Sequence, residues 1–231
     1  MIVCVYALST PSRLPRRLTG VAGEPLRAVM VDGIVAVVGD VRRRPAPSTR
    51  NLRRFASVVE SIAGSASAVL PARFGSTFTD LTELMLVLRS RRASIRERLH
   101  AVRGRAQMTI RLICESESGD ASCASRSQVT PRARVRLEHK ATQGTRYLRE
   151  RMEMLRTAQQ IPELAPVRTA IRRLVRDERV ERRGSIATVH HLIPRAVAGR
   201  YRAAVERAAA EKSVRLTVSG PWAPYAFAEN W

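Results

Sequence analysis

Aromatic residues are scarce in this chain: 231 residues include four Phe, four Tyr and two Trp. Surfaces that hold single-stranded nucleic acid interleave rings with cations. Here Phe55 and Tyr201 fall on apolar helix faces, and Trp222 and Tyr225 have no cationic neighbour in sequence, so a dedicated nucleic-acid surface is not expected. Cysteine is scarcer still. Cys4, Cys114 and Cys123 make no disulfide framework, and a reducing cytoplasm suits them. No apolar run approaches the roughly 18–20 residues that cross a bilayer. The apolar start, Met1 to Leu8, lacks a basic n-region and a cleavage site, and is expected to be a first strand rather than a signal peptide.

Acidic residues are also few. Asp and Glu number 20 against 41 Lys and Arg, a formal net charge of +21. That balance suits nucleic acid, an anionic membrane face or an acidic protein partner. The arginines are dispersed, with short clusters at Arg42-Arg43-Arg44, Arg91-Arg92 and Arg182-Arg183. Dispersed charge predicts salt-dependent, non-specific attraction to polyanions rather than a dedicated groove. A basic cytoplasmic protein that binds nucleic acid or another polyanion is the alternative function.

Catalytic chemistry is missing as well. Gly20-Val21-Ala22-Gly23 lacks the lysine and following helix of a phosphate loop, and no Gly-x-Ser-x-Gly elbow occurs. His190 and His191 are adjacent in a strand-like run, so they point to opposite faces and are poorly placed to share a metal. Cys114 and Cys123 have no second pair for zinc. Glu115, Glu117 and Asp120 lie in a Ser-rich stretch and read as a solvated acidic loop. No catalytic residue, cofactor or metal is expected, and the protein is not expected to be an enzyme.

What is present is an ordered alternation of periods. Ile2 to Leu8 reads as a buried strand. Leu26 to Val31 and Ile34 to Val38 flank Asp32-Gly33, a hairpin signal, since a type I′ turn needs positive φ at both central residues. Leu52, Phe55, Val58, Val59 and Ile62 share one face of a helix. A strand is expected over Ser67 to Arg73, then a long helix from Thr79 or Asp80 with Leu81, Leu84, Met85, Leu88, Ile95 and Leu99 inward. A strand follows with Met108, Ile110, Leu112 and Cys114. The second half reads as a helix with Tyr147, Leu148, Met152 and Leu155, and a helix with Val167, Ile171, Leu174 and Val175 whose outer side carries Arg172, Arg173, Arg176 and Arg179. A strand over Ser185 to Ile193, a helix with Val197, Tyr201, Ala204, Val205 and Ala208, and a strand over Val214 to Val218 complete it. The fold class is α+β in two domains: an N-terminal ferredoxin-like sandwich, and a helix-rich C-terminal α+β domain with a small sheet. The expected divisions are 1–114, a Ser-rich linker at 115–134, the second domain at 135–219 and an aromatic tail at 220–231.

Two stretches carry a resemblance. Val69-Leu70-Pro71-Ala72-Arg73-Phe74-Gly75-Ser76-Thr77-Phe78 resembles the LP-x-RFG signature of the gas vesicle protein GvpF/GvpL family. Ser219-Gly220-Pro221-Trp222-Ala223-Pro224-Tyr225-Ala226-Phe227 resembles its C-terminal GPWPPYSF signature. Val58-Val59-Glu60 and Gly144-Thr145-Arg146-Tyr147-Leu148 are weaker matches, and the likeness spans nearly the whole chain. Phe55 stands about where the family usually has a histidine, Ala223 where a second proline is common, and Ala226 where serine is common. The resemblance implies a gas vesicle accessory or assembly protein, a minor component or chaperone-like factor, with the major shell protein and other accessory proteins as partners. It implies a cytoplasmic, vesicle-associated location and no catalytic activity. The residues it singles out, as structural or partner-binding, are Leu70, Pro71, Arg73, Phe74 and Gly75, then Gly220, Pro221, Trp222, Pro224, Tyr225 and Phe227.

Each signature admits a purely structural reading. Arg73 is expected to pair with a buried carboxylate or with tail carbonyls, and Gly75 to permit a turn. The tail is expected to fold back so that Trp222 and Phe227 close a core, each contributing about 2–3 kcal/mol by area. If they do not, they are anchors for a partner.

Overall fold

In strand β1, Ile2–Ser9, every residue from Val3 to Ser9 is buried, and the first half of the chain is built around it. The computed structural model describes residues 1–12, 15, 18–113, 161–183, 185–212 and 214–228. The expected Ser-rich linker, the expected helix around Tyr147, Cys114, Cys123 and Trp231 lie outside them.

β1 pairs antiparallel with β3, Ile34–Val41, which pairs with β2, Leu26–Val31. The turn between β2 and β3 has φ +48° at Asp32 and +80° at Gly33, as the hairpin signal requires. The other edge of β1 is shared. Its C-terminal end pairs with β4, Val69–Pro71, and its N-terminal end with β5, Thr77–Phe78. The sheet order is β2-β3-β1-β4, with β5 also on β1.

Helix α1, Thr49–Ser65, starts where Ser48 caps it, its Oγ accepting from the Asn51 N–H at 3.2 Å. It buries Phe55, Val58, Val59, Ile62 and Ala63. Leu52, expected on the same face, is 45% exposed. The long helix expected after Thr79 is two helices: α2, Leu81–Ser90, and α3, Arg92–Val102. The chain breaks at Arg91, with φ −105° and ψ 10°. The apolar face survives the break, because Leu84, Leu88, Ile95 and Leu99 are all buried. One core joins these helices to the first sheet.

Strand β6, Arg105–Ile113, enters a second sheet. There it pairs antiparallel with β8, Ile186–Pro194, and with β9, Leu216–Trp222. By pairing, therefore, the second sheet starts at Arg105, before the expected linker. The sheet order is β7-β8-β6-β9. Helix α4 spans only Ala165–Ile171, and Asp177–Arg183 forms edge strand β7, so Arg179 sits on a strand rather than on the helix expected there. Helix α5, Ala198–Glu211, buries Tyr201, Val205, Ala208 and Ala209. On β6 and β8, Met108, Ile110, Ala187, Val189 and Ile193 join α4 and α5 in a second core. Leu192, one position out of phase, joins the first core instead. The fold is thus mixed α+β with two antiparallel sheets, and the reverse face of the second sheet packs toward the first.

Candidate functional site

The first signature is the connection between β4 and β5. Both strands pair with β1, so the chain between them must leave that edge and return to it. The Ala72 N–H donates to the Tyr6 carbonyl at 2.9 Å, and the Val5 N–H donates to the Ser76 carbonyl at 2.9 Å. Between these points Arg73-Phe74-Gly75-Ser76 turns outward, closed by the Ser76 N–H on the Arg73 carbonyl at 3.0 Å. Gly75 has φ +78°, the value a type II turn asks of its third residue. Leu70, Pro71 and Gly75 are buried. The Phe74 ring meets Phe55 edge-on, with centroids 5.4 Å apart, and Phe55 stacks on Tyr6 at 5.1 Å. Phe55, where the family usually has histidine, is thus the ring that seats the signature loop. The Arg73 side chain is exposed and makes neither of the expected pairings among the described residues.

The second signature begins inside β9. Gly220 and Pro221 form a bulge, so that Gln107 faces Trp222 and Thr109 faces Ser219. The Gly220-Pro221 peptide is cis. Gly220 has φ +113°, and a Cβ there would lie 2.7 Å from the Gln107 carbonyl oxygen. A proline, with no N–H to donate, is tolerated at a bulge. After the bulge the tail crosses to the first core. The Ala223 N–H donates to Glu60 Oε1 at 2.8 Å, and the Ala226 N–H to Gln107 Oε1 at 2.8 Å. A single 3-10 turn, Tyr225–Phe227, ends the path.

The tail's rings divide between two roles. Phe227 is 6% exposed, and Ala223 and Ala228 are buried with it in the first core, while Pro224 is buried alongside. The Arg179 guanidinium lies over the Phe227 ring, 5.3 Å from its centroid. Trp222 is 46% exposed and Tyr225 37%, and Pro221 is exposed. The expectation that Trp222 closes a core is therefore corrected. The bulge turns its indole outward, where Nε1–H donates to Ser219 Oγ at 3.4 Å. Partial burial and the nearby Glu60 carboxylate push the Tyr225 phenol above its ordinary range, so it stays protonated.

The two signatures, some 150 residues apart, meet. Between them and α1 lies a cavity of about 440 Å³. α1 contributes Leu52, Phe55 and Ala56; the first signature contributes Pro71, Arg73, Phe74 and Phe78; the tail contributes Tyr225 and Ala228. This is within the size range of pockets that hold a small ligand or a few partner side chains. Its walls are mostly hydrocarbon and rings, with Arg73 and Ser76 as polar members. Leu70, Gly75, Gly220, Pro221, Trp222, Pro224 and Phe227 do not line it. They shape the loop and tail that do, or, like Trp222, lie exposed beside them.

Sequence reasoning missed Glu60 and Gln107, the side chains that hold the tail. Glu60 is the one acid in α1 and directly follows the apolar pair Val58-Val59. Gln107 was visible as an amide beginning an apolar strand. Its amide nitrogen also lies 3.2 Å from Thr109 Oγ1 and 3.1 Å from His190 Nδ1.

The two histidines do face opposite ways. His190 sits with Gln107 and Thr109, whereas His191 is fully buried between α5 and β7. His191 Nδ1 is hydrogen-bonded to the Tyr201 hydroxyl, and Nε2 to Glu178 at 2.6 Å. Arg168 clamps the same carboxylate at 3.1 and 3.3 Å. No group of three or more His, Cys, Asp or Glu that would hold a metal ion occurs among the described residues. Among them, too, no helix is long and apolar enough to cross a membrane.

Comparison with known proteins bears on this geometry. No curated protein matches the sequence. Solved structures that share the fold include two gas vesicle proteins. The gas vesicle protein GvpF from Anabaena sp. PCC7120 superposes with a TM-score of 0.73 at 16% identity, covering 100% of this chain and 97% of that one. GvpF from Microcystis aeruginosa gives 0.71 at 16% identity, covering 99% of each chain. The profile of the gas vesicle synthesis protein GvpL/GvpF family matches residues 3–229, a span that contains both signatures and the cavity they build, and the chain belongs to that family.

Proposed function

We propose that this protein is a gas vesicle assembly factor that acts in the cytoplasm and holds an apolar segment of the major shell protein in the cavity between α1, the Arg73-Phe74-Gly75 turn and the Tyr225 end of the tail. The observation that carries the reading is the meeting of the two family signatures at one apolar cavity. A protein that builds a gas-filled shell must present large apolar surfaces before assembly, more than a soluble monomer tolerates uncovered. Leu52 and Tyr225 are partly exposed at this cavity, and Trp222 is exposed nearby on the same tail. Large partly exposed rings and aliphatic groups around a cavity are the usual anchors of a protein interface. The arginine-rich exterior keeps such a complex dispersed and draws acidic accessory partners to it.

Co-purification with the shell protein tests this. Leu52→Ser removes an exposed apolar contact, and Ala56→Trp fills the cavity from an exposed helix position. Both variants are expected to keep the wild-type Tm and to lose most shell-protein capture. Full capture by both, at unchanged Tm, overturns the assignment of the cavity.

A further inference from the structure

A second cavity, of about 600 Å³, opens on the far side of the second sheet's helices. One wall is the stripe Arg200, Ala203, Ala204 and Arg207 of α5. These positions follow the i, i+3, i+4, i+7 spacing of a single helix face. It is a different face from the one that buries Tyr201, Val205 and Ala208 in the core. The other wall comes from α4 and the turn after it: Thr169, Ala170, Arg172, Arg173 and Leu174. Four guanidinium groups therefore rim a trough floored by alanines and one leucine. No carboxylate lines it. The four arginines are exposed, and none forms an ion pair among the described residues.

We propose that this trough is a docking site for an acidic amphipathic helix of a partner protein. Charge complementarity selects the sign: four unneutralised cations line one trough with no carboxylate among them. Spacing selects the shape. Arg200 and Arg207 are seven residues apart, about 10 Å along the helix axis, so carboxylates two turns apart on a docked helix meet both while its small apolar residues sit on Ala203, Ala204 and Leu174. A helix laid in a groove is read through such i, i+3, i+4, i+7 anchors. Nucleic acid fits the trough less well, because no aromatic ring lines it to stack a base. The site is separate from the cavity at α1, so one protein can hold an apolar client and an acidic partner at once.

The test is a titration of the full-length protein with a synthetic helical peptide of about 14 residues carrying glutamates and alanines on one face. A scrambled peptide of identical composition and an oligonucleotide of equal charge run alongside. The patterned peptide is expected to bind at least about tenfold more tightly than the scrambled one. Arg200→Ser with Arg207→Ser, and separately Arg172→Ser with Arg173→Ser, are each expected to weaken it by at least about tenfold. Arg53→Ser with Arg54→Ser, the same charge loss on exposed positions of α1, is expected to leave it unchanged. Two groove pairs on different elements keep the test decisive if one fails to fold. Equal binding of patterned and scrambled peptides overturns the proposal. So does wild-type affinity in the folded groove variants, or tighter binding of the oligonucleotide at about 200 mM salt.

Discussion

Phe227 and Trp222 belong to one signature and have opposite surroundings. Phe227 sits in the first core beneath the Arg179 guanidinium, whereas Trp222 stands 46% exposed beyond the Gly220-Pro221 bulge. Truncating a buried Phe costs about 3–5 kcal/mol, through lost transfer energy and the cavity left behind. Phe227→Ala is expected toward the lower end of that range, because the tail end has room to relax. Trp222→Ala is expected to cost less than about 1 kcal/mol, as surface substitutions do. Thermal melts of the two variants check this, and similar losses from both would contradict the division. Gly220 holds the bulge that turns Trp222 outward: at φ +113°, with the Gln107 carbonyl 2.7 Å from where a Cβ would be, no other residue fits there.

At the level of elements, the sequence was legible where period and burial agree. The Asp32-Gly33 hairpin, the buried face of α1, and strands β1, β6 and β8 follow from alternation, helical spacing and turn chemistry. Two longer elements were not legible. The face of Leu84, Leu88, Ile95 and Leu99 runs straight through Arg91, so hydrophobic spacing reports one helix where the backbone makes two. β7, Asp-Glu-Arg-Val-Glu-Arg-Arg, has one apolar residue in seven and reads as a charged continuation of α4. It is an edge strand, where charge is tolerated and guards against further pairing. The cavity at α1 was half legible, since both signatures were apparent but their contact depends on a tail path fixed by Glu60 and Gln107. β7 also carries Glu178 to His191 and Arg168, which links α4, β7 and β8. Burial opposes charge on Glu178, but the hydrogen bond with His191 and the charges of His191 and Arg168 outweigh it and hold the carboxyl below its ordinary 4.5. The unfolded chain then takes up a proton at pH values where the folded chain does not. The contribution of Glu178 is therefore complete above about pH 4.5 and is lost as pH falls below it. Urea midpoints at stepped pH from about 6 to 3.5 are expected to fall less steeply for Glu178→Gln than for the wild type, from a lower starting stability. Parallel slopes would show that the clamp is not what titrates.

For the molecule as a whole, the dominant quantity is the formal charge of +21. The two sheets are joined by the polypeptide between β9 and Phe227, by the Arg195 guanidinium on the Ala63 carbonyl at 2.9 Å, and by Gly104, whose N–H donates to the Ser67 carbonyl while its own carbonyl accepts from Arg195 N–H. Much of the charge is carried by exposed arginines on α1, α3, α5 and the turn after α4. Such a distribution repels itself, and the repulsion favours separating and expanding the parts over keeping them packed. Salt shortens the reach of that repulsion from about 30 Å at 0.01 M to about 8 Å at 0.15 M. The opposing loss, screening of surface ion pairs such as Arg27 with Asp40, is small, since exposed pairs contribute about 0–1 kcal/mol each. Repulsion among many unneutralised cations therefore decides the sign. The Tm is expected to rise by several degrees between about 10 and 150 mM sodium chloride. Arg200→Ser with Arg207→Ser, which removes two of the cations around the α4–α5 trough, is expected to raise the low-salt Tm and to flatten its salt dependence. A Tm that falls with added salt would show that ion pairs, rather than like-charge repulsion, set the balance across the surface.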